Sequence, residues 1–336
     1  MNCVCFLLYF LLSSFQNIDG LIQNGENYQN RRRMINQIVS ISSSTLVAPN
    51  AFAIGDKTLT INNNSNSNNS NGLANKLAKR DASMLKNSVF NIPPSAQSYP
   101  LFMGGEWKVE SKFRGFIFPS TSISKEKITS NPLIPGFQKC SIAALCDVGK
   151  ESFTYTMRID SNTLLEDRNY NLSQMMNANL GYKAVEQIIY DPKSNPNRIS
   201  IDFVKNRTRN AERIELFCNA RESQLITIGS TGNMDEKEEE EHQQQQKEEK
   251  ENNLFVCSEY IRQVTFSYSQ EFGVARQVNG NYAHFWTWKQ QGSNQLKGNL
   301  LTAAYLDPQD PLFLDEPVKP VVVYSQDLIA NRLPLS

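Results

Sequence analysis

Histidine is scarce in this sequence of 336 residues, which contains two. His242 lies in a run of glutamate and glutamine, so His284 is the one candidate for a catalytic base. Nucleophilic catalysis needs a nucleophile beside such a base, and no G-x-S-x-G motif or Cys–His pattern accompanies His284. Glycine-rich motifs for nucleotide phosphates are missing as well. We therefore predict no catalytic residues and no cofactor.

An excess of charge of either sign is also absent. The 34 basic and 34 acidic residues give a formal net charge of +0, which argues against a nucleic-acid partner. Paired C-x-x-C motifs are missing, and Cys140 and Cys146 lie in a single segment, a pattern that does not indicate zinc. The sequence predicts no metal site and no nucleic-acid binding.

Long apolar runs are lacking after the N-terminus. The run of nine apolar residues from Val4 to Leu12 is too short to span a bilayer as a helix, and no later segment approaches 18 uninterrupted apolar residues. We expect the mature protein not to span a membrane.

The N-terminal apolar run is typical of a secretory signal. It is followed by Ser13 and Ser14, and then by Phe15. This junction resembles the presequences of organisms with secondary plastids of red-algal origin, in which a Phe follows the signal cleavage site. The next residues are rich in Asn, Gln and Arg and poor in acid, which is typical of a transit peptide.

A third targeting signal begins at Arg32 and Arg33, which open a mildly apolar stretch ending in Ala51-Phe52-Ala53. Paired arginines, such a stretch and an A-x-A site are the pattern of a twin-arginine export signal. We predict a tripartite presequence over residues 1–53 and delivery to the thylakoid lumen of a plastid. A basic turn before a buried helix is the alternative.

Secretion is the rival to plastid delivery. The N-glycosylation pattern occurs at four asparagines, and it would matter if the chain stopped in the secretory route. The four are Asn63, Asn68, Asn171 and Asn206. The alternative is therefore a secreted glycoprotein.

The mature chain divides by composition. Residues 54–98 contain an Asn- and Ser-rich run and are predicted to be a low-complexity linker with one short amphipathic helix from Leu73 to Leu85. One folded domain is predicted over residues 99–336. Within it, residues 231–253 hold an acidic, Gln-rich insertion that cannot bury apolar surface.

Alternation with a period of two dominates the folded domain, as in Phe153 to Ile159 and Ile199 to Phe203. Other such segments are 107–113, 213–218, 224–228, 254–260, 263–268, 282–289, 295–305 and 320–325. About ten strands with a single helix near Leu172 to Leu180 imply antiparallel connections. We predict a mainly β, antiparallel barrel, since closure removes exposed edges; a β-sandwich is the alternative. A closed barrel has one inner face, to which each strand contributes every second residue, so the interior should be shared by Trp107, Val109, Phe113, Tyr155, Ile201 and part of the segment Tyr282 to Trp288.

One predicted strand carries an aromatic stripe. Tyr282, His284, Trp286 and Trp288 occupy alternate positions and therefore share one face. With Tyr155 on an earlier strand, they could line a pocket for a planar apolar ligand such as a pigment, a quinone or a lipid-derived molecule. Tyr282 or His284 would give that ligand a single hydrogen bond. Core filling and a protein-partner surface are the alternatives.

Four cysteines remain after the presequence. An even number in an oxidising compartment permits disulfides, and Cys218 and Cys257 lie on predicted strands on either side of the acidic insertion. We predict that these two pair, with buried free thiols as the alternative.

Several motifs resemble an uncharacterised family of chloroplast, thylakoid-lumen and cyanobacterial proteins that carry a domain of unknown function. The motifs are Tyr99 to Trp107, Phe113 to Pro119, Pro135-Gly136, Tyr190-Asp191-Pro192 and Asn195 to Arg198. The resemblance covers the chain from about Pro94 onward, with the acidic insertion as a departure. It implies a plastid location and supplies no activity.

The pair Gly105 and Trp107 also resembles the opening of lipocalin-like barrels. In those proteins the Trp closes one end of the barrel and a late basic residue covers it. The resemblance implies that Arg332 has this role here, through cation–π packing.

Two classes of function follow. The first is a non-catalytic lumenal auxiliary protein that holds a small lipophilic molecule or assists the assembly of a photosynthetic complex. The second is a lumenal enzyme that acts on such a molecule.

Overall fold

The computed structural model describes residues 72–87, 94–228, 252–267 and 277–334. Every described residue belongs to one compact unit, 51–336. The predicted targeting residues lie outside the described residues; they are Phe15, Arg32, Arg33, Ala51 and Ala53. Most of the predicted acidic insertion lies outside them too, because the described part resumes at Asn252.

In the described part of the chain, nine strands form one antiparallel sheet in the order β2-β1-β9-β8-β7-β6-β5-β4-β3. The strands are β1 Gly105–Ile117, β2 Ser152–Ile159, β3 Val185–Asp191, β4 Asn195–Phe203, β5 Arg213–Ile228, β6 Asn252–Phe266, β7 Gln277–Gln290, β8 Gln295–Tyr305 and β9 Val322–Arg332. The mainly β, antiparallel prediction is thus confirmed.

The strands follow from the alternation in the sequence. In β2, Phe153, Tyr155 and Met157 are buried, and the residues between them are exposed or half-buried. The predicted segments 213–218 and 224–228 are one strand, β5, whose pairing with β6 continues past a register shift between Cys218 and Ala220. A bulge of this kind shifts the alternation by one residue and therefore divides the sequence pattern of a single strand.

Three α-helices lie in the described residues: α1 Leu73–Ala78, α2 Lys125–Ser130 and α3 Arg168–Leu180. Helix α3 is the one that the sequence predicts inside the domain. The Asp167 side chain caps it by accepting from the Tyr170 N–H, and it ends at Gly181, whose φ of 84° is the left-handed conformation that glycine tolerates. None of the described helices is long and apolar enough to cross a membrane.

The sheet has two edge strands, β2 and β3, which do not pair with each other. Helix α3 packs against both. Its Asn171 accepts from the Arg158 N–H (2.7 Å) and donates to the Arg158 carbonyl (3.0 Å) on β2, while Asn169 donates to the Tyr190 carbonyl on β3 (3.2 Å). The helix therefore satisfies backbone groups that an open sheet edge would leave unpaired.

One face of the sheet, which we call the cavity face, carries the larger core cluster. Trp107 and Val109 are buried there with Ile201 and Tyr282, and Phe113 packs against them. The sequence predicts that these side chains share one interior, and this prediction is confirmed.

The opposite face, which we call the outer face, is covered by the chain segment 72–87. Leu73, Leu77 and Leu85 of this segment are buried in one cluster with Phe285 and Tyr305. The Tyr305 hydroxyl donates to the Leu85 carbonyl (2.8 Å). Part of the predicted linker is thus an integral layer of the domain.

Candidate functional site

A cavity lies against the cavity face, between α3, β2 and the strands β4 to β7. About 80 Å³ is open there to the centres of water-sized molecules. One water needs at least about 10–15 Å³ on this measure, so the space suits a small organic molecule. Apolar side chains form most of the wall; they include Met157, Leu172, Met175, Ile199, Leu216 and Ile261.

The aromatic stripe of β7 forms one side of this cavity. All five residues that the sequence proposes as ligand contacts line it, namely Tyr155, Tyr282, His284, Trp286 and Trp288. The rings of Trp286 and Trp288 are stacked with centroids 6.4 Å apart. On the adjacent strand, Gly298 faces Trp288, and a Cβ at that position would lie 2.6 Å from the Trp288 ring. A glycine is therefore what lets the indole lie flat against β8.

The hydroxyl of Tyr282 is already engaged within the protein. It donates to Gln263 Oε1 (2.8 Å), and the same Gln263 oxygen accepts from the Ala143 N–H (2.9 Å). Of the two residues predicted to hydrogen-bond a ligand, His284 is therefore the one with a free atom.

His284 is buried, with 3% of its surface exposed. Its Nδ1 lies 2.8 Å from the hydroxyl of Thr302 on β8, and its Nε2 has no hydrogen-bond partner in the structure. Burial lowers the pKa of His284 to about 4. The ring is therefore neutral near pH 7 and presents one unpaired nitrogen among groups that line the cavity.

A polar row crosses the cavity face beside His284. In the strand register, Arg221 on β5 faces Glu259 on β6, and Glu259 faces His284 on β7. Directly paired residues of adjacent strands have neighbouring side chains. Arg168 of α3 reaches the same carboxylate from the other side of the cavity and bonds Glu259 Oε1.

The charges in this row are paired. Glu259 Oε1 accepts from Arg221 Nε (2.7 Å) as well as from Arg168, and Arg168 Nε lies 3.5 Å from Glu166 Oε2. Burial alone would raise the pKa of Glu259, but the two guanidinium groups outweigh it and hold that pKa at about 2. The site therefore contains two cations and two carboxylates.

Two more buried polar atoms near the cavity have no hydrogen-bond partner in the structure. They are Oδ1 of Asn197, which lines the cavity, and Nη2 of Arg221. Buried polar atoms are nearly always paired in proteins, so unpaired ones around a cavity indicate that water or a ligand belongs there.

The predicted contact between Trp107 and Arg332 is present. The guanidinium carbon lies 4.3 Å from the centroid of the buried Trp107 ring. Arg332 also donates to the carbonyls of Gly104 (2.7 Å) and Phe102 (3.0 Å). Gly105 has φ of 111°, and a Cβ there would lie 2.8 Å from Arg332 Nη1. These three residues form a compact end of the domain, and none of them lines the cavity.

The predicted pairing of Cys218 with Cys257 is wrong, because both are free and buried. Cys218 faces Ile261 on β6, whereas Cys257 faces Ser223 on β5. At roughly 3.3 Å per residue along a strand, this register places the α-carbons far beyond the roughly 4.4–6.8 Å that a disulfide requires.

The glycosylation pattern at Asn171 is likewise not a usable site. Its side chain is buried, with 4% of the residue exposed, and its amide nitrogen donates to the Arg158 carbonyl.

The sequence analysis did not predict the charged residues of the polar row beside His284, which are Arg221, Glu259 and Arg168. Glu259 lies at every second position with Cys257 and Ile261 and therefore shares their face of the strand. Two buried apolar residues on that face were the sequence signal that Glu259 is buried as well. Arg168 and Arg221 carry no such signal, because their burial depends on the docking of α3 and on the β5 bulge. Within the described ranges, no three His, Cys, Asp or Glu side chains are grouped so as to hold a metal ion.

No protein-family profile, curated protein or solved structure matches this chain.

Proposed function

We propose that this protein is a non-catalytic binding protein that holds one small, mainly apolar molecule in the cavity beside β7. The observation that carries the proposal is the unpaired Nε2 of the buried His284, which lines a cavity whose other walls are largely apolar and aromatic. Small-molecule sites combine these features: an apolar lining and a few polar groups that orient the ligand.

Binding is favoured over catalysis by the state of the titratable groups. A general base works best with a pKa near the working pH, whereas burial lowers the pKa of His284 to about 4. Glu259 is held by two arginines and is not free to transfer a proton. An enzyme acting on the same molecule remains the competing class, and it predicts turnover that His284→Ala abolishes.

The architecture that we propose for this role is a lipocalin-like barrel whose two edge strands are bridged by α3. The contacts of α3 with both β2 and β3 support it, and so does the packing of Arg332 on Trp107. Membership of the plastid and cyanobacterial family that the motifs resemble is part of the same proposal.

The proposed location is the thylakoid lumen, where the partner would be a lipophilic molecule or a photosynthetic complex under assembly. The support is the order of the three signals in residues 1–53. A fluorescent fusion to residues 1–60 should enter the plastid. Replacing Arg32 and Arg33 by Lys should stall it in the stroma, because ammonium groups do not reproduce paired guanidinium forks. Unchanged delivery to the lumen would contradict the twin-arginine assignment.

The binding proposal is tested by identifying the small molecule that copurifies with the protein. The protein is purified from its native cells without detergent and extracted with organic solvent, and the extract is analysed by mass spectrometry. A stoichiometric small molecule is expected. In Leu172→Trp, the larger side chain would occupy the cavity and the molecule should be lost.

Leu225→Trp is the matched control, because Leu225 is 53% exposed and does not line the cavity. It should retain the molecule in full. Equal retention by both variants, or no stoichiometric molecule in either the wild type or the control, would contradict the proposal.

A further inference from the structure

The protein charges at the cavity balance. Arg168 and Glu259 line it, with Glu166 beside Arg168 and Arg221 bonded to Glu259. Two guanidinium groups thus oppose two carboxylates. An anionic group placed beside His284 would lie next to the carboxylate of Glu259, its neighbour in the strand register. The charges of the two nearby guanidinium groups are already balanced by Glu259 and Glu166, although Nη2 of Arg221 has no hydrogen-bond partner. A buried charge without a partner is costly.

The bond to Thr302 selects the hydrogen-bonding role of His284. In one tautomer the Thr302 hydroxyl donates to Nδ1, and Nε2 carries a hydrogen. In the other, Nδ1 carries the hydrogen and donates to Thr302, so that the hydroxyl hydrogen needs a different acceptor. Thr302 is fully buried and does not line the cavity, so no ligand there can accept from it. With the hydrogen on Nε2, the Thr302 hydroxyl donates to Nδ1 and a ligand in the cavity can accept from the Nε2–H. Only this tautomer therefore allows a ligand to complete the hydrogen bonding of His284 and Thr302.

We propose that the ligand presents an uncharged hydrogen-bond acceptor, such as a ketone, ester or quinone oxygen, to the Nε2–H of His284. This inference rests on the proposed binding function and specifies its ligand class. Carboxylates and phosphates are disfavoured by Glu259, and the stacked rings of Trp286 and Trp288 suit a flat hydrocarbon body.

The tautomer can be tested without any ligand. Nitrogen chemical shifts of the histidine rings in the folded protein distinguish a protonated Nε2 from a protonated Nδ1, and a His284→Gln variant assigns the signal. We expect hydrogen on Nε2. Hydrogen on Nδ1 would overturn the inference and leave the binding function untouched.

The ligand class is tested with three probes that share one ring system: methyl 2-naphthoate, 2-naphthoate and 2-ethylnaphthalene. Equilibrium dialysis at pH 7 measures the affinity of each for the wild-type protein. The uncharged ester should bind about 2- to 10-fold more tightly than the hydrocarbon, the effect of one hydrogen bond, and the carboxylate should bind most weakly. Equal or tighter binding of the carboxylate would overturn the inference.

Two variants separate the hydrogen bond from the shape of the cavity. His284→Phe keeps a ring and removes the donor, so the preference for the ester over the hydrocarbon should vanish. Trp286→Phe changes the wall and keeps His284, so the preference should persist. A preference that survives in a folded His284→Phe protein would overturn the inference. Failure of all three probes to bind the wild type would instead count against the proposed function itself.

Discussion

Burial of His284 has a consequence for stability against pH. Its pKa in the folded protein is about 4, below the ordinary value of 6.5. Between these values the unfolded chain binds a proton that the folded protein does not, so the folded state loses stability as the pH falls. The loss should begin near pH 6.5, grow towards pH 4 and reach up to about 3 kcal/mol.

Urea unfolding at a series of pH values checks this. His284→Gln has no titrating ring and should show a flatter profile between pH 6.5 and 4. The ionised state of Glu259 contributes in a different window, since its pKa is lowered from 4.5 to about 2. The stability due to Glu259 is present above pH 4.5 and is lost as the pH falls towards 2. Identical profiles for wild type and His284→Gln would show that His284 titrates normally.

Burial of Trp107 predicts a large loss of stability when its side chain is truncated. Its side chain is fully buried and donates to the Met103 carbonyl (2.8 Å). Trp107→Ala should cost about 3–5 kcal/mol, as for other buried large aromatics. Denaturant unfolding followed by circular dichroism measures this cost. Trp107→Phe keeps most of the packing and should cost clearly less; equal costs would show that the indole N–H, rather than the ring, matters at this position.

At the scale of elements, α3 and the sheet are joined through the ion cluster of Arg168, Arg221, Glu166 and Glu259. Removing Glu259 leaves the buried Arg221 without its carboxylate partner and Arg168 with Glu166, whereas removing Arg168 leaves Glu259 bonded to Arg221. Breaking a buried ion pair by deleting one partner typically costs about 3–5 kcal/mol. Glu259→Gln should therefore destabilise the protein more than Arg168→Met in urea titrations. The reverse order would mean that Arg168 mainly acts as a packing element of α3.

The loop between α2 and β2 places two other cysteines together. The Cys140 N–H donates to the Cys146 carbonyl (2.8 Å), and hydrogen bonding to Cys140, together with burial, raises the pKa of Cys146. With glutathione disulfide as oxidant during refolding, these two thiols should form the first intramolecular disulfide, releasing reduced glutathione. Peptide mapping under non-reducing conditions identifies it. A Cys218–Cys257 disulfide in the refolded protein would contradict the strand register.

At the scale of the whole molecule, the segment 72–87 acts as a layer of the fold. Leu77 is buried against the outer face of the sheet, whereas Lys79, two residues later, is exposed. Leu77→Asp should lower stability by about 2–4 kcal/mol, because it puts a carboxylate among apolar side chains. Lys79→Asp, the matched exposed change, should be nearly neutral. Thermal unfolding of both variants decides whether the segment is bound as firmly as its burial indicates.

Sequence reasoning recovered the parts of this molecule that depend on local alternation. The stripe of Tyr282 to Trp288 follows from strand parity alone, and its shared interior with Trp107 follows from parity together with the predicted single inner face of a barrel. The partners of Glu259 do not, because Arg168 reaches it only after α3 docks across the cavity. The prediction of a disulfide between Cys218 and Cys257 is wrong for a related reason, since the register between β5 and β6 is set by contacts over the whole sheet and by a bulge.

Because β1 pairs with β9 as well as with β2, the sheet can close around β1 only after β9 has been synthesised. Arg332 and its partner Gly104 are 228 residues apart in the chain. At a synthesis rate of about 5–20 residues per second, the intervening chain takes about 10–50 s to make. During that interval β1 and β8 have no partner on the side that β9 will occupy, and Trp107 is not covered by Arg332. The sheet is therefore divided into two parts until β9 is made. Among the strands of the described residues, β9 is synthesised after the other eight and is the one that joins β1 to β8. A chain truncated before β9 therefore cannot complete this sheet.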